Sequence, residues 1–241
     1  MSGTALAQAI GFALTPVISR LFTPADFGVF GSFNAVAGVI AAGITLEYSQ
    51  AILLPKEKSD AFDLFFISCL STIIITLLCA VACLIAPSSL LGIIKAPGVW
   101  VLALLVFTIM VAGFNVSLQS WCIRVKAFKQ TSSSQVVRSL SSNSMQIGFG
   151  FLKAGPVGLI VSSVLADLFA SINLLRVLYV DFKTSTHNIS WHRIKKLAKE
   201  YRDFPLYATS SNIINSLSMG LPVLLLTNYF GIVVAGAYAF G

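Results

Sequence analysis

Long stretches without a charged residue divide the chain into segments that are each long enough to cross a membrane. They lie at 1–19, 27–46, 64–94, 96–123 and 204–241. A helix of about 20 mostly apolar residues spans the roughly 30 Å hydrocarbon core of a bilayer. The pattern predicts an all-α, polytopic membrane protein, because a helix satisfies its own backbone hydrogen bonds in an environment without water.

We place seven spans and the beginning of an eighth on this pattern. They lie at 3–22, 27–54, 61–86, 98–120, 134–152, 156–180 and 204–228, and the eighth begins near Ile232. The chain then divides into a six-helix transmembrane bundle at 1–181, a cytoplasmic basic amphipathic linker at 182–203 and the start of a second transmembrane half at 204–241. The interruption at Gly241 is typical of a truncated gene product or a partial sequence.

The composition excludes an ordinary soluble enzyme, a disordered protein and a nucleic-acid-binding domain. Hydrophobic residues make up 56% of the chain and charged residues 10%, whereas soluble domains contain about 25% charged residues. The formal net charge of +7 therefore has to be explained by the loops between the spans.

The basic residues fall mainly in alternate loops. With a cytoplasmic N-terminus, eleven of the 16 lysines and arginines lie in cytoplasmic loops. They are Lys56, Lys58, Arg124, Lys126, Lys129, Lys183, Arg193, Lys195, Lys196, Lys199 and Arg202. Arg20, Lys95 and Lys153 lie on the outer side, and Arg138 and Arg176 lie within spans. This is the usual excess of positive charge in cytoplasmic loops, so we expect a multi-pass protein with its N-terminus in the cytoplasm.

The linker at 182–203 has a helical pattern of its own. Its apolar residues recur at spacings of three and four, and its basic residues take most of the remaining surface. The apolar residues are Trp191, Ile194, Leu197, Ala198 and Tyr201. We expect a basic amphipathic helix on the cytoplasmic leaflet, where anionic headgroups attract Lys and Arg. A solvated linker with a positive charge is the alternative.

Polar residues inside the predicted spans fall on single helical faces. The stripes comprise Thr4, Gln8, Thr15 and Ser19 in the first span; Ser68, Thr72, Thr76, Cys79 and Cys83 in the third; Thr108, Asn115, Gln119 and Lys126 in the fourth; Gln135, Arg138, Ser142 and Gln146 in the fifth; Ser163, Asp167 and Ser171 in the sixth; and Asn212, Asn215 and Met219 in the seventh. One such stripe is explained by contacts between helices, where each polar contact contributes about 0.6 kcal/mol. Stripes on several helices favour a shared polar interior.

Charged residues within spans are the strongest candidates for function, since each costs about 2.5–3.5 kcal/mol or more at the bilayer centre. Asp167 lies near the middle of the sixth span and should face the bundle interior or pair with a basic residue. Arg20 and Arg138 either extend to the headgroups or face a cavity. The candidate substrate-cavity residues are Arg20, Arg138, Asp167, Glu47, Gln8, Asn115 and Gln119.

No pattern in the sequence favours an enzyme. The two histidines and four cysteines lack the spacing of metal ligands, and no phosphate-binding glycine loop or nucleophile elbow is present. We therefore predict no catalytic residue, metal or cofactor.

Several short segments together resemble a known family. Residues 18–28 read I-S-R-L-F-T-P-A-D-F-G and residues 47–56 read E-Y-S-Q-A-I-L-L-P-K. Phe204-Pro205-Leu206-Tyr207, Leu221-Pro222, Tyr229-Phe230-Gly231 and Gly236-Ala237-Tyr238 follow in order. The chain resembles the polysaccharide exporters (O-antigen flippase, Wzx-type) of the multidrug/oligosaccharidyl-lipid/polysaccharide exporter superfamily. The resemblance covers nearly the whole chain, and R-L-F-T-P-x-D-F-G is fairly specific to that branch.

The resemblance implies a protein of two pseudo-symmetric six-helix halves that works by alternating access. Its implied substrate is an oligosaccharide on polyprenyl diphosphate, which passes through a polar, often cationic, cavity in the bacterial cytoplasmic membrane. Arginine suits the diphosphate because its fork of donors matches the oxygens. Membrane lipids and the polysaccharide polymerase machinery are the implied partners, and no nucleic acid is expected.

Two other functions stay open at this point. A cation-coupled drug or metabolite antiporter of the same superfamily would use Asp167 and Glu47 as proton or sodium sites. A non-transporting membrane protein, including a truncated product, would need neither.

Overall fold

The computed structural model describes residues 2–96, 98–183 and 191–240, without the side chains of residues 2–4 and 6, and this part of the chain is helical with no strand. The helices are α1 (Ser2–Leu21), α2 (Pro24–Ala41), α3 (Tyr48–Ala51), α4 (Lys58–Ile85), α5 (Pro87–Ile94), α6 (Trp100–Arg124), α7 (Phe128–Phe151), α8 (Gly155–Lys183), α9 (Trp191–Glu200), α10 (Thr209–Leu225) and α11 (Ile232–Phe240). Short π-helical segments at Phe204–Ala208 and Leu226–Phe230 flank α10. The all-α prediction is confirmed.

Five helical segments of the described chain are long and apolar enough to cross a membrane. They are Pro24–Ala41, Lys58–Ile85, Trp100–Arg124, Gly155–Lys183 and Phe204–Phe230. Helices α1 and α7 have 20 and 24 residues, which is also sufficient length to cross the hydrocarbon core, and α7 is the more polar of the two. They pack against each other, and Gln8 of α1 and the polar residues of α7 line a cavity described below. The fold is that of a polytopic, all-α membrane protein.

The turn between α1 and α2 forms as its sequence predicts. Thr23 is the N-cap of α2 and Pro24 is its first residue. The Thr23 backbone amide donates to Asp26 Oδ2 at 2.8 Å, and the Asp26 amide donates to Thr23 Oγ1 at 3.3 Å. This reciprocal capping box satisfies two backbone donors that the start of a helix leaves open.

The second span is shorter than predicted. The sequence predicts a continuous segment at 27–54, whereas α2 ends at Ala41 and a series of tight turns leads to the single turn of α3. Leu46 and Glu47 have φ angles of 48° and 56°. Two successive left-handed residues cannot continue a right-handed helix, so the chain bends there.

Two other boundaries differ from the prediction. Helix α7 begins at Phe128, six residues before the predicted start at 134. Helix α5 was not predicted as a separate element; Pro87 is its first residue, and the change of direction at Ala86 (φ −130°, ψ 57°) separates it from α4. Proline is favoured at the first position of a helix because the missing N–H would have no helical partner there.

Helix α2 packs closely against α10 and α11 through small residues. A Cβ atom at Gly236 would lie 1.6 Å from the Pro24 carbonyl oxygen, and one at Gly28 would lie 2.1 Å from the Ile232 carbonyl oxygen. Ser32 Oγ and Thr227 Oγ1 share a buried hydrogen bond of 2.7 Å. Small residues allow transmembrane backbones to approach closely, so this contact depends on the absence of side chains.

The polar stripe of the third span serves helix packing. Ser68 Oγ and Ser117 Oγ lie 2.7 Å apart between α4 and α6, and both residues are buried. Thr72 packs over Gly113, where an added Cβ would lie 2.5 Å from the Thr72 methyl carbon. For Ser68 and Thr72 the structure supports the helix-contact interpretation.

Helix α9 is amphipathic as predicted, but its apolar face packs on protein rather than on lipid. Ile194 and Leu197 are buried in a cluster with Phe62 and Trp121. Tyr48 Oη donates to the Ala198 carbonyl oxygen at 3.1 Å. The rest of the linker, at 184–190, lies outside the described residues. The prediction that the apolar face of this helix contacts the membrane leaflet is therefore wrong for Ile194 and Leu197. The basic face of the helix remains exposed.

Basic residues gather at the end of the bundle that carries α9, hereafter the α9 end. The Arg124 guanidinium donates to the carbonyl oxygens of Ile52 at 2.7 Å and Pro55 at 2.8 Å. Lys58 forms an ion pair with Asp181. Arg193 Nε lies 2.8 Å from Asp63 Oδ2, and the Asp63 side chain is 1% exposed.

We expect Asp63→Asn to loosen α9. The substitution removes the charge that attracts Arg193, a half-exposed partner, so the loss is about 1 kcal/mol and the open form becomes about fivefold more populated. Limited trypsin cleavage within α9 of the purified protein should accelerate by that factor. Glu200→Gln, an exposed carboxyl-to-amide change on α9, is the control; equal rates for Asp63→Asn and the wild type would show that apolar contacts alone hold the helix.

Candidate functional site

A cavity of about 630 Å³ lies among α1, α2, α6, α7 and α8, hereafter the central cavity. Amides, hydroxyls and one ion pair supply its polar lining. These residues are Gln8, Asn34, Thr108, Asn115, Gln119, Ser134, Gln135, Arg138, Ser139, Ser142, Asn143, Gln146, Ser163 and Asp167. Five of the seven predicted site residues are among them, and the stripes of the fourth, fifth and sixth spans converge here.

An ion pair between α7 and α8 lies in the cavity wall. Arg138 Nε donates to Asp167 Oδ1, and Arg138 Nη2 lies 3.4 Å from Asp167 Oδ2. The Asp167 side chain is 16% exposed and that of Arg138 is 59% exposed. Asp167 is therefore the more buried partner of the pair, whereas Arg138 presents part of its guanidinium to the cavity. The expectation that Asp167 faces the interior or pairs with a basic residue agrees with this geometry.

Asn115 and Gln119 form a hydrogen-bonded network with α8. Asn115 Nδ2 donates to Ser171 Oγ at 2.8 Å, and Gln119 Nε2 donates to Asn115 Oδ1. Ser171 Oγ donates in turn to the Asp167 carbonyl oxygen at 2.8 Å. The network fixes the orientation of both amides, because each has a partner within the protein.

The wall of α1 and α7 is also polar. Gln8 lines the cavity beside Ala7, whose carbonyl oxygen accepts a 2.8 Å hydrogen bond from Ser139. The Thr4 side chain, part of the first stripe, lies outside the described residues. Asn34 and Asn143 line the cavity although the sequence analysis did not single them out. Each is an amide inside a helix of the bundle, which is the signal that could have revealed them.

Glu47 and Arg20 lie away from the central cavity. Glu47 is buried at the bend before α3, where it accepts hydrogen bonds from Gln50 Nε2 at 2.5 Å and Asn212 Nδ2 at 2.8 Å. It therefore joins the bend to α10. Arg20 is exposed in the last turn of α1 and does not line the cavity.

The central cavity has no net positive charge among its described lining residues. Arg138 and Asp167 are the two charged residues of that lining, and they neutralise each other. The cationic cavity implied by the resemblance is therefore not what the lining shows. The chemistry offered is hydrogen bonding by about a dozen uncharged amide and hydroxyl groups, which both donate and accept.

The fold and cavity define a polytopic helical membrane protein with a polar interior. The model of the polysaccharide biosynthesis protein family matches residues 17–241, and the chain belongs to that family. Comparisons with curated proteins and with solved structures gave no significant match.

Proposed function

We propose that the protein is a flippase that moves a polyprenyl-diphosphate-linked oligosaccharide across the bacterial cytoplasmic membrane by alternating access, for surface polysaccharide synthesis. The observation that supports this most strongly is the amide- and hydroxyl-rich lining of the central cavity. Sugar hydroxyls, like these groups, donate and accept hydrogen bonds, so the lining can replace the water that a glycan loses on entering the membrane. The sugar would occupy the cavity while the lipid stays in the bilayer.

Arg138 is the candidate contact for the diphosphate. Its guanidinium is more than half exposed, and Asp167 holds it against the wall by one edge. A guanidinium has five N–H donors, so donors remain for phosphate oxygens while the ion pair persists. The α9 end, with its many basic residues, would face the cytoplasm, and polymerase machinery would act on the product at the opposite face.

A cation-coupled antiporter is less consistent with this site. Its cation would need a carboxylate free to exchange protons or sodium, and Asp167, the carboxylate of the described cavity lining, is engaged by Arg138. Glu47 lies outside that lining and accepts from two amides.

Reconstituted vesicles test the proposal directly. The protein should move a fluorescent polyprenyl-diphosphate oligosaccharide between leaflets, and Asn115→Ala or Gln119→Ala should each slow this about fivefold, since a hydrogen bond contributes about 1 kcal/mol. Asn215→Ala is the matched control, because Asn215 is an exposed amide of α10 outside the cavity lining.

Three outcomes would contradict the flippase. Wild-type rates for both cavity variants would show that the cavity does not carry the glycan. Transport of a small solute that requires a proton or sodium gradient and is lost in Asp167→Asn would favour the antiporter. Absence of transport of either kind would favour a non-transporting protein.

A further inference from the structure

A second cavity of about 490 Å³ continues the groove between α7 and α8 toward the α9 end. Val177 and Val180 give it an apolar wall, while Gln130, Asn173 and Arg176 supply polar groups. Apolar and polar surfaces thus meet in one concave site, which suits an amphiphile better than a free sugar.

The second cavity and the central cavity follow one another along the same two helices. On α8 the central cavity extends to Ala170 and the second begins at Asn173. Between them Asn173 Nδ2 donates to Ser133 Oγ at 3.3 Å, which bridges α8 and α7. Arg176 is nine residues beyond Asp167, or about 13 Å along the axis. A ligand in the second cavity is therefore close to the central cavity.

Arg176 is a cation without a protein partner among the described residues. It is exposed and makes no hydrogen bond or ion pair within that part of the chain. Two other cations at this end are engaged, since Arg124 donates to carbonyl oxygens and Lys58 pairs with Asp181. A charged side chain within a span is costly unless it finds a partner or reaches the headgroups. The guanidinium of Arg176 is therefore available to an anion supplied by the surroundings.

A helix α8 that is centred in the bilayer would bring Arg176 close to the depth of the lipid phosphates. Helix α8 has 29 residues and is about 43 Å long, so it extends beyond the roughly 30 Å hydrocarbon core. Arg176 lies seven residues before the end of α8 at Lys183, which is about 10 Å along the helix axis. Its guanidinium can therefore reach the boundary between hydrocarbon and headgroups.

The charges around the second cavity favour an anion. Asp181 lines it, but the Lys58 ammonium offsets that carboxylate. Lys126 and Lys129 are exposed on either side of Ala127, which also lines the cavity. The surroundings are positive once the Lys58–Asp181 pair is counted as neutral.

We propose that the second cavity binds the phosphate end of a membrane amphiphile, with Arg176 on the phosphate and Val177 and Val180 against the first part of the chain. This deepens the proposed function, because it gives the lipid-linked substrate a capture site in the leaflet at the α9 end before its sugar enters the central cavity. The phosphate chemistry is shared by a polyprenyl phosphate and a phospholipid.

Binding to the detergent-solubilised full chain tests the site without requiring transport. Native mass spectrometry should show that a polyprenyl monophosphate binds about tenfold more tightly than the uncharged polyprenol, because the phosphate adds charge-assisted hydrogen bonds. Arg176→Gln should abolish this preference and Arg176→Lys should retain part of it. Lys183→Gln, a cation of the same helix outside the cavity lining, should leave it unchanged.

Further measurements distinguish the possible phosphate-bearing ligands from one another and the second cavity from the central cavity. An equal Arg176-dependence for phosphatidylglycerol assigns the site to lipid phosphates in general, and dependence for polyprenyl phosphate alone assigns it to the substrate. Displacement of the bound polyprenyl phosphate by millimolar inorganic phosphate would show that the site also binds free phosphate. An unchanged preference in Arg176→Gln, or its loss in Arg138→Gln instead, overturns the proposal. Arg176-dependent binding without vesicle transport would retain this site and reject the flippase.

Discussion

Gly236→Ala is expected to separate α11 from α2 and to lower the stability of the bundle. The added Cβ would lie 1.6 Å from the Pro24 carbonyl oxygen and 2.8 Å from the Gly28 amide nitrogen. Both neighbours are backbone atoms, so no rotamer change relieves the clash and the helices have to move apart. Overpacking of this kind costs about 1–3 kcal/mol or more. Thermal unfolding in detergent should show Tm lower by roughly 5–10 °C.

A cysteine pair reports whether this movement extends to the π-helical segment Leu226–Phe230, which precedes α11 and contains Thr227. Ser32 Oγ and Thr227 Oγ1 lie 2.7 Å apart, so Ser32→Cys with Thr227→Cys should form a disulfide under mild oxidation. In the Gly236→Ala background this disulfide should form much more slowly.

Gly11→Ala is the matched control for the glycine substitution. No atom lies within 4 Å of a Cβ at Gly11, and alanine is favoured over glycine within a helix by about 1 kcal/mol. Its Tm should be equal to that of the wild type or higher. The close approach of α2 and α11 would be contradicted if the Gly236→Ala protein had the same Tm as the Gly11→Ala protein and its cysteine pair still formed the disulfide at the normal rate.

Arg138→Leu is expected to have the largest effect on transport. It removes the candidate diphosphate contact and leaves the Asp167 carboxylate, 16% exposed, without its partner. Breaking a fully buried pair costs about 3–5 kcal/mol, but Arg138 is 59% exposed, so we expect about 1–2 kcal/mol in stability. Flipping of the labelled lipid-linked oligosaccharide in vesicles should fall more than tenfold, in line with the loss of charge-assisted contacts.

The double variant Arg138→Asp with Asp167→Arg separates folding from substrate binding. It restores a pair of opposite charges between α7 and α8, so the unfolding temperature should recover. Transport should stay low, because the arginine side chain then extends from α8 instead of α7 and no longer occupies the position of Arg138. Full recovery of transport would show that Arg138 acts through the ion pair alone.

Arg20→Leu provides a comparison, because Arg20 is the other arginine that the sequence predicted to lie in the substrate cavity. Arg20 is exposed at the end of α1 and outside the central cavity, so transport should change less than twofold. A loss as large as that of Arg138→Leu would mean that the substrate path includes the end of the bundle at Arg20, and that the central cavity is only part of it.

The sequence by itself determined the number and order of the main helices. A helix in the hydrocarbon core needs a long run of uncharged, mostly apolar residues, so the runs at 64–94 and 96–123 were sufficient to locate α4 and α6. Local hydrogen bonding likewise determined the start of α2, since Thr23 and Asp26 form a reciprocal capping box around Pro24, which satisfies donors at the helix terminus. The helical period also identified the faces that carry Asn115, Gln119, Arg138 and Asp167.

Only the tertiary structure decided what each polar face contacts. Ser68 and Asp167 lie in similar stripes, yet Ser68 meets Ser117 in a helix contact while Asp167 meets Arg138 in a cavity wall. A stripe on one helix does not reveal its neighbour. The predicted position of Glu47 in the cavity differs from its position in the structure for a related reason. The left-handed bend at Leu46 and Glu47 places it next to Asn212, and no periodic pattern encodes such a bend. The apolar face of α9 was visible in the sequence, but only packing decided that it covers protein rather than lipid, because both surfaces offer the same apolar contact.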